Sequence, residues 1–471
     1  MTEARSRLED DLQTVRDLSL FVAYNANVDA VIRVDESLEA ALEPPAGDPG
    51  TTAPPDRLAS KSDLATAIAH AMAAGEGDQG AMTAGLADEL EAELRADAMQ
   101  MGGQAGIMTN LLSTLAASPV VYTYLLSETQ RSMFDRPERI RFPLVEDGEV
   151  RFASLDDAPT AERTKINWIF EFREGAEFFG VRATGNTRFI AASRPPEFDL
   201  HAGELDAVID QVGDGTHGAL LAGYHNLTPE NVEAGYDRTL RHARDVLRRL
   251  RSEREFPVHV EYAVTHDDEL RRSVTETILP EANVVGLDPH ELSLLREDLN
   301  LAAEPTDEGD GAVGALEEAS LEDESPERSI VAHYRTLVAL RDRLGVDCVR
   351  MHAMHYHLAV MDDYLPPEAV ERGLEFAAVN AATKAATGHI DGPEALETGL
   401  EYEPSTAGKR AVESLADAVD ATAEDGVLAT PSVVACPNRV VDDPAGTVGI
   451  GDIVSAASFA LEVGATVEDA R

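Results

Sequence analysis

Near its C-terminus the chain reads Thr447-Val448-Gly449-Ile450-Gly451-Asp452, and Ile453 to Leu461 follow as a mostly apolar stretch. That stretch reads as a helix, and glycines just before it allow a tight turn with little side-chain obstruction. The free N–H groups of a helix start, with its positive dipole end, attract an anion such as a phosphate. An aspartate there can take a proton from a hydroxyl nucleophile while the N–H groups hold a phosphoryl group in transfer. The same residues also suit a plain helix entry with the aspartate as N-cap.

A second constellation is His259-Val260-Glu261-Tyr262, at the end of an apolar strand, with Asp288-Pro289-His290-Glu291 after Val284–Leu287 in the same strand-then-polar pattern. Ligands of parallel sheets gather beyond the carboxyl ends of the strands, where Glu261 and Glu291 converge if both strands are parallel. Two carboxylates near a phosphate site are a usual holder of Mg2+, often through water; solvated loop carboxylates are the alternative.

Further upstream, Tyr24-Asn25-Ala26-Asn27-Val28-Asp29 puts Asn27 and Asp29 two apart, on one face of a strand, where they can hydrogen-bond vicinal hydroxyls. Gly102-Gly103-Gln104-Ala105-Gly106 precedes a helical stretch and lets a substrate approach the backbone closely. Lys165, in a strand-like apolar segment, joins Arg188 and Arg194 as a cationic pocket for a phosphate-bearing substrate. The run His352-Ala353-Met354-His355-Tyr356-His357 invites a metal reading, but no carboxylate or cysteine set accompanies it and it starts as a strand exit.

These residues need elements to carry them. Short apolar runs at Leu20–Tyr24, Ala219–Tyr224, Pro257–Val264, Asn283–Leu287, Val346–Met351 and Ser432–Ala435 alternate with helical periodicity over Pro229–Glu253 and Ser329–Leu344. That alternation predicts a mostly parallel sheet with helices on both faces. Residues 125–200 lack long helices between Val150–Ala153, Thr164–Phe172 and Arg188–Ala192, which predicts a smaller antiparallel or mixed sheet. The architecture expected is a body with a lid. Residues 43–60, 75–100 and 302–328 read as surface insertions, the last an acidic mobile loop.

Composition narrows the class. In 471 residues, 39 Lys+Arg face 87 Asp+Glu, a formal charge of −48, with 44% hydrophobic residues. The chain is globular, and it lacks the basic face that general binding to nucleic acid or anionic membrane needs. No apolar run approaches the ~18 residues of a membrane span, and the first residues lack the order of a secretory signal. Two cysteines, Cys348 and Cys436, give no disulfide framework and suit a reducing cytoplasm. Lys61, Lys165, Lys384 and Lys409 are the lysines, the other basic residues being arginines. Acidic excess with lysine nearly absent is the surface expected of a protein adapted to molar salt, where the Debye length falls to ~3 Å and self-repulsion is screened.

In chain order these motifs resemble the ADP-dependent sugar kinases, the archaeal-type phosphofructokinase and glucokinase family. The resemblance rests on Asn27-Val28-Asp29, Gly102 to Gly106, Lys165-Ile166-Asn167-Trp168, Arg188-Phe189-Ile190, His259-Val260-Glu261 and Thr447 to Asp452. It implies a ribokinase-like α/β fold: a large nucleotide-binding domain (1–33, 103–124 and 201–471) with a central mostly parallel sheet, plus a sheet-rich lid (34–102 and 125–200). It implies Asp452 as catalytic base, Gly449, Ile450 and Gly451 as anion hole, and Arg188 on the phosphates. It further implies Asn27, Asp29, Gly103 and Gln104 on the sugar, and Glu261, Glu291 and Asp452 at Mg2+ or another divalent cation. The family's Asn-x-x-Glu reads Asp288-Pro289-His290-Glu291 here, so Asp288 adds a negative charge in the metal's second shell and alters the expected metal dependence. Glucokinases of the family place a lid glutamate on the sugar where this chain has Asp78 or Gln79, whereas Lys165 and Arg194 match the 6-phosphate residues of the phosphofructokinases. The expected reaction is transfer from ADP to the 1-hydroxyl of fructose 6-phosphate, giving fructose 1,6-bisphosphate and AMP, by a monomer or small homo-oligomer. The alternatives are a glucokinase or bifunctional sugar kinase, an ATP-dependent kinase of the same fold, and a catalytically weak regulatory binder of sugar phosphates.

Overall fold

The structure is a computed structural model that describes residues 2–200, 203–232, 234–251, 255–265, 267–301 and 325–469. Phe21 and Ala23 pack into one apolar cluster and Val22 into another. The strand Phe21–Tyr24 is therefore buried on both faces, which is why its sequence is apolar without alternation. The same holds for the central strands of the eleven-stranded sheet to which it belongs, while the strands at its margins are partly exposed. In spatial order the eleven are Leu428–Ala429, Val433–Pro437, Tyr356–Met361, Cys348–His352, Val284–Leu287, Val258–Glu261, Ala219–Ala222, Phe21–Tyr24, Val120–Thr123, Arg141–Glu146 and Glu149–Ser154. The pairings from Cys348–His352 across to Arg141–Glu146 are parallel, and antiparallel strands flank them at both sides. Helices including Tyr236–Arg251 and Pro326–Leu344 cover one face; Gln104–Thr114, Pro367–Thr387 and Ile450–Asp469 cover the other.

A second, six-stranded sheet runs Arg57–Leu58, Asp78–Met82, Thr187–Ala192, Ile166–Phe172, Asn27–Arg33, Ala98–Gly102, with parallel and antiparallel pairs mixed. Trp168, Phe170 and Phe172 pack under the helices Lys61–Ala74 and Ala84–Glu93, while Asn167 and Ile169, on the alternate face, line a cleft. The α/β, ribokinase-like class expected from the sequence is the class observed. The chain passes between the two sheets four times, after Tyr24, Gly102, Ser154 and Ala192.

Several expectations change. Residues 27–33 belong to the lid sheet, not the body, because only Asn25 and Ala26 separate the two strands. The hairpin Arg141–Glu146 and Glu149–Ser154 extends the body's sheet rather than the lid's, a pairing set by the distant strand Val120–Thr123. Residues 75–100 are no insertion: they supply the strand Asp78–Met82, a helix and most of the edge strand Ala98–Gly102. The helix expected from Pro229 starts at Tyr236, since Gly235 holds φ +79° before it. Residues 302–324 of the expected mobile loop lie outside the described residues, and Pro326 already opens the next helix. The helix over 450–468 is long and apolar enough to cross a membrane, contrary to the expectation that no run approaches that. It is apolar because it packs against Pro367–Thr387, Gln104–Thr114 and Thr2–Val15. Its far half is pinned by Arg350, whose Nη2 is 2.6 Å from Glu462 Oε1 and whose Nη1 donates to Ser458 Oγ, both ions being fully buried.

Candidate active site

Gly449, at φ +75°, is the turn from which the C-terminal helix starts. Ile453 N–H donates to its carbonyl at 3.0 Å, so the N–H groups of Ile450, Gly451 and Asp452 precede the first intrahelical bond and have no carbonyl of their own helix to reach. On either side of them Gly449 and Asp452 line a cleft of 450 Å³, together with Asn27, Asp29, Gly103, Gln104, Arg188, Asp288 and Glu291, among others. Burial first, then the charges of Glu261 and Asp29, holds the Asp452 carboxyl well above the usual carboxylate range. A carboxyl with raised proton affinity beside an anion-attracting helix start is equipped to take a hydroxyl proton.

Opposite lies the lid. Asn27 Nδ2 donates to Asp29 Oδ1 at 2.7 Å, as their shared strand face predicts. Burial pushes Asp29 up to about 6, against the opposing hydrogen bond of Asn27 and the charges of Lys165 and Arg188. Asn27 Oδ1 and Gln104 Oε1 are buried without a hydrogen-bond partner. Buried polar atoms are normally paired, so these are positions that ligand hydroxyls can satisfy. Arg188, on the lid strand Thr187–Ala192, reaches across to Thr447 Oγ1 at 3.1 Å, and its buried Nε has no partner. Two more contacts cross the cleft: Gln79 Nε2 to Val264 O at 3.3 Å and Arg57 Nη1 to Glu230 Oε1 at 2.5 Å.

Lys165 is 2% exposed. Its ammonium donates to Asn25 Oδ1 at 2.7 Å and Asn226 Oδ1 at 2.8 Å, and it stands 5.8 Å from the Phe198 ring centre. Burial, helped by Arg194, lowers its pKa well below the ordinary lysine value, and burial lowers Arg194 to about 10. Among the described residues neither cation has a carboxylate within ion-pair distance. In a chain with 87 acids to 39 bases, two cations without an acid partner are a pair suited to an anion. His225 beside them is held neutral by burial, Arg194 and Lys165.

The acid cluster is differently built. Glu261 ends its strand and pairs with His259 Nε2 at 2.8 Å, both side chains being buried. Burial raises Glu261, but His259 and then His352 outweigh it and bring the carboxyl below its usual value. Asp288 is the N-cap of the helix Pro289–Asp298: its Oδ1 accepts from Glu291 N–H at 2.8 Å, and Glu291 Oε2 accepts from Asp288 N–H at 2.8 Å. Asp caps a helix as well as Asn does, so the Asp288 departure is accommodated by the local fold. Burial, then Asp288 and Glu261, with Asp452 also contributing, push Glu291 well above its ordinary value. Mutually repelling buried oxygen donors suit a hard cation such as Mg2+. Among the described residues, however, no three His, Cys, Asp or Glu are arranged to hold one ion directly. Glu261 and Glu291 are already tied to His259 and the Asp288 N–H, an arrangement that suits an ion keeping water and ligand oxygens rather than one ligated jointly by Glu261, Glu291 and Asp452.

The structure thus gathers Asp452, Gly449, Arg188, Asn27, Asp29, Gly103, Gln104, Asp288 and Glu291 on one cleft. Lys165, Glu261, Ile450 and Gly451 do not line it, and Arg194 opens on an adjoining cavity of 300 Å³ that shares His225 and Gln79 with the cleft. Sequence reasoning missed Asn25, Asn226 and His225 as site residues. Asn25 directly follows the apolar strand Phe21–Tyr24, and His225 and Asn226 lie in the turn after Ala219–Ala222, so the rule that ligands sit beyond parallel strand ends was a usable signal.

Known proteins are similar to this chain along most of its length. The family model for the ADP-specific phosphofructokinase/glucokinase conserved region matches residues 18–461. An ADP-specific phosphofructokinase of Thermococcus zilligii is 28% identical over 470 residues, covering 95% of this chain and 96% of the relative. An ADP-dependent glucose/glucosamine kinase of Pyrococcus furiosus is 28% identical over 380 residues, covering 78% and 76%. A solved ADP-dependent kinase in complex with fructose-6-phosphate and ADPbetaS superposes with a TM-score of 0.82 at 27% identity, covering 98% of this chain and 97% of that one.

Proposed function

The chain belongs to the ADP-specific phosphofructokinase/glucokinase family, and we propose that it transfers the β-phosphoryl group of ADP to the 1-hydroxyl of fructose 6-phosphate. The products are fructose 1,6-bisphosphate and AMP. The observation that carries the choice of sugar is the pair of cations, buried Lys165 and half-buried Arg194, without an acid partner among the described residues. An unphosphorylated hexose leaves both uncompensated; a 6-phosphate offsets both. The names of the relatives, and the fructose-6-phosphate in the solved kinase complex, support the same reading.

Asp452 takes the proton of the 1-hydroxyl, the sugar oxygen bonds to the β-phosphorus, and the bond from that phosphorus to the bridging oxygen breaks to release AMP. The N–H groups at Ile450, Gly451 and Asp452, with Arg188 from the lid, stabilise charge on the phosphoryl oxygens. Asn27, Asp29, Gly103 and Gln104 orient the sugar, and lid contacts such as Arg188–Thr447 exclude water from the cleft. Glu261, Glu291 and Asp288 would hold Mg2+ through water, and the ion when bound neutralises charge on the nucleotide phosphates. The acid excess and the scarcity of lysine support a site of action in a salt-rich cytoplasm.

Glucose is the second reading, favoured by the unpaired Asn27 Oδ1, which serves any hexose hydroxyl. The test is AMP release from ADP, with ATP as the control donor, against fructose 6-phosphate, fructose and glucose in molar KCl. Fructose 6-phosphate with ADP is expected to give the highest kcat/KM. Absence of AMP, or a preference for glucose, overturns the assignment.

A further inference from the structure

The histidine run set aside as a metal site ends one of the parallel strands. His352 closes Cys348–His352, at the same edge of the sheet where Val258–Glu261 ends in Glu261 and Val284–Leu287 leads into Asp288. Its ring lies against the first turn of the C-terminal helix. A Cβ built on Gly451 would meet His352 Nε2 at 2.3 Å and its Cε1 at 3.0 Å, so the imidazole occupies the room that any larger residue at 451 needs. His352 Nδ1 is buried and has no hydrogen-bond partner. The ring therefore takes its place by packing rather than through a hydrogen bond at Nδ1. His357, its cross-strand partner on the neighbouring strand, is 1% exposed.

We propose that His352 is a positioning residue for phosphoryl transfer, the stop against which the first turn of the C-terminal helix seats. Contact with Gly451 fixes the N–H groups of residues 450–452 and, through the same turn, the direction of the Asp452 carboxyl. Residue 451 is glycine because the ring sits there. His352 itself touches neither the transferring group nor the sugar in this role. The inference rests on the reading of residues 449–452 as the anion hole and names what holds that hole in register.

The test uses the full chain in molar KCl with ADP and fructose 6-phosphate, and measures kcat, both KM values and the thermal unfolding midpoint for His352→Ala, Gly451→Ala and the double variant. Displacing a reacting group by about 1 Å can reduce the rate about a hundredfold. Gly451→Ala is expected to lose about that much kcat, and His352→Ala about tenfold, while the KM for fructose 6-phosphate stays within about twofold because the sugar side is untouched. Combining the two removes the collision, so the double variant is expected to recover about tenfold over Gly451→Ala. A double variant no faster than Gly451→Ala, a His352→Ala enzyme with wild-type kcat, or a defect confined to the sugar KM overturns the proposal. If Gly451→Ala does not fold, as its unfolding transition reveals, His352→Ala and His352→Asn decide by their split between kcat and KM. Wild-type protein that releases no AMP refutes the proposed function instead, so the two failures are distinguishable.

Discussion

Replacing Lys165 by Met removes a charge while keeping most of a side chain's bulk. The ammonium has three N–H groups, and two of them are committed to Asn25 Oδ1 and Asn226 Oδ1. Under the proposed function the third serves the sugar phosphate, with Arg194 as the second cation of the pocket. A hydrogen bond to a charged group contributes about 1.5–3 kcal/mol, which corresponds to about a ten- to hundred-and-fiftyfold rise in KM for fructose 6-phosphate. At 2% exposure no bulk water replaces the lost donor, and screening by salt is slight, so the factor should be similar in about 1 M and 3 M KCl. Steady-state AMP release is measured for wild type and variant with fructose 6-phosphate and with fructose, alongside an unfolding curve to show that the variant is folded. Fructose turnover should change little. An equal KM rise for both sugars, or a rise below about threefold for the phosphorylated one, refutes the argument that Lys165 exists for the phosphate.

Asp452→Asn should retain binding of both substrates, seen by titration, and lose about 10²- to 10⁴-fold in kcat, the usual contribution of a positioned proton acceptor. Asp29, with its pKa near 6, is a carboxylate above that pH and protonated below it, so the KM for sugar should be flat above pH 7 and rise about tenfold by pH 5. Because the sugar's own phosphate also titrates near 6, the measurement is the difference between wild type and Asp29→Asn, in which the protein's share of the rise should vanish. Arg350→Met leaves Glu462 buried without its cation and should reduce stability by about 3–5 kcal/mol, read from denaturant unfolding in molar KCl.

The chemistry was more legible than the boundaries. Gly449 to Asp452 declared a helix start with a carboxylate because both the turn and the helix are local properties. Asn27 and Asp29 followed from strand alternation over three residues. What escaped depended on chain segments far apart. Asn25 and Asn226 matter through Lys165, 140 and 61 residues away, and no local pattern announces a hydrogen bond of that span. The lid boundary failed for a related reason: strands Phe21–Tyr24 and Asn27–Arg33 are nearly continuous in sequence yet pair with different sheets. Residues 75–100 looked like an insertion because Gly and acidic residues dominate them, but three buried side chains, Leu86, Ala87 and Leu90, are enough to fix the helix Ala84–Glu93 on the lid.

The four passages of the chain between the sheets have a mechanical meaning. Asn25 lies in the first, Gly103 and Gln104 open the second, Lys165 closes the third and Arg194 is the second residue of the fourth. The residues proposed for the sugar phosphate thus lie on the crossings themselves, and under that proposal a molecule gripping them works like a pin driven through a door's hinge knuckles. Tightness of grip and freedom of swing are then one adjustable quantity, and a sequence that retunes its choice of sugar must also retune how its two halves turn.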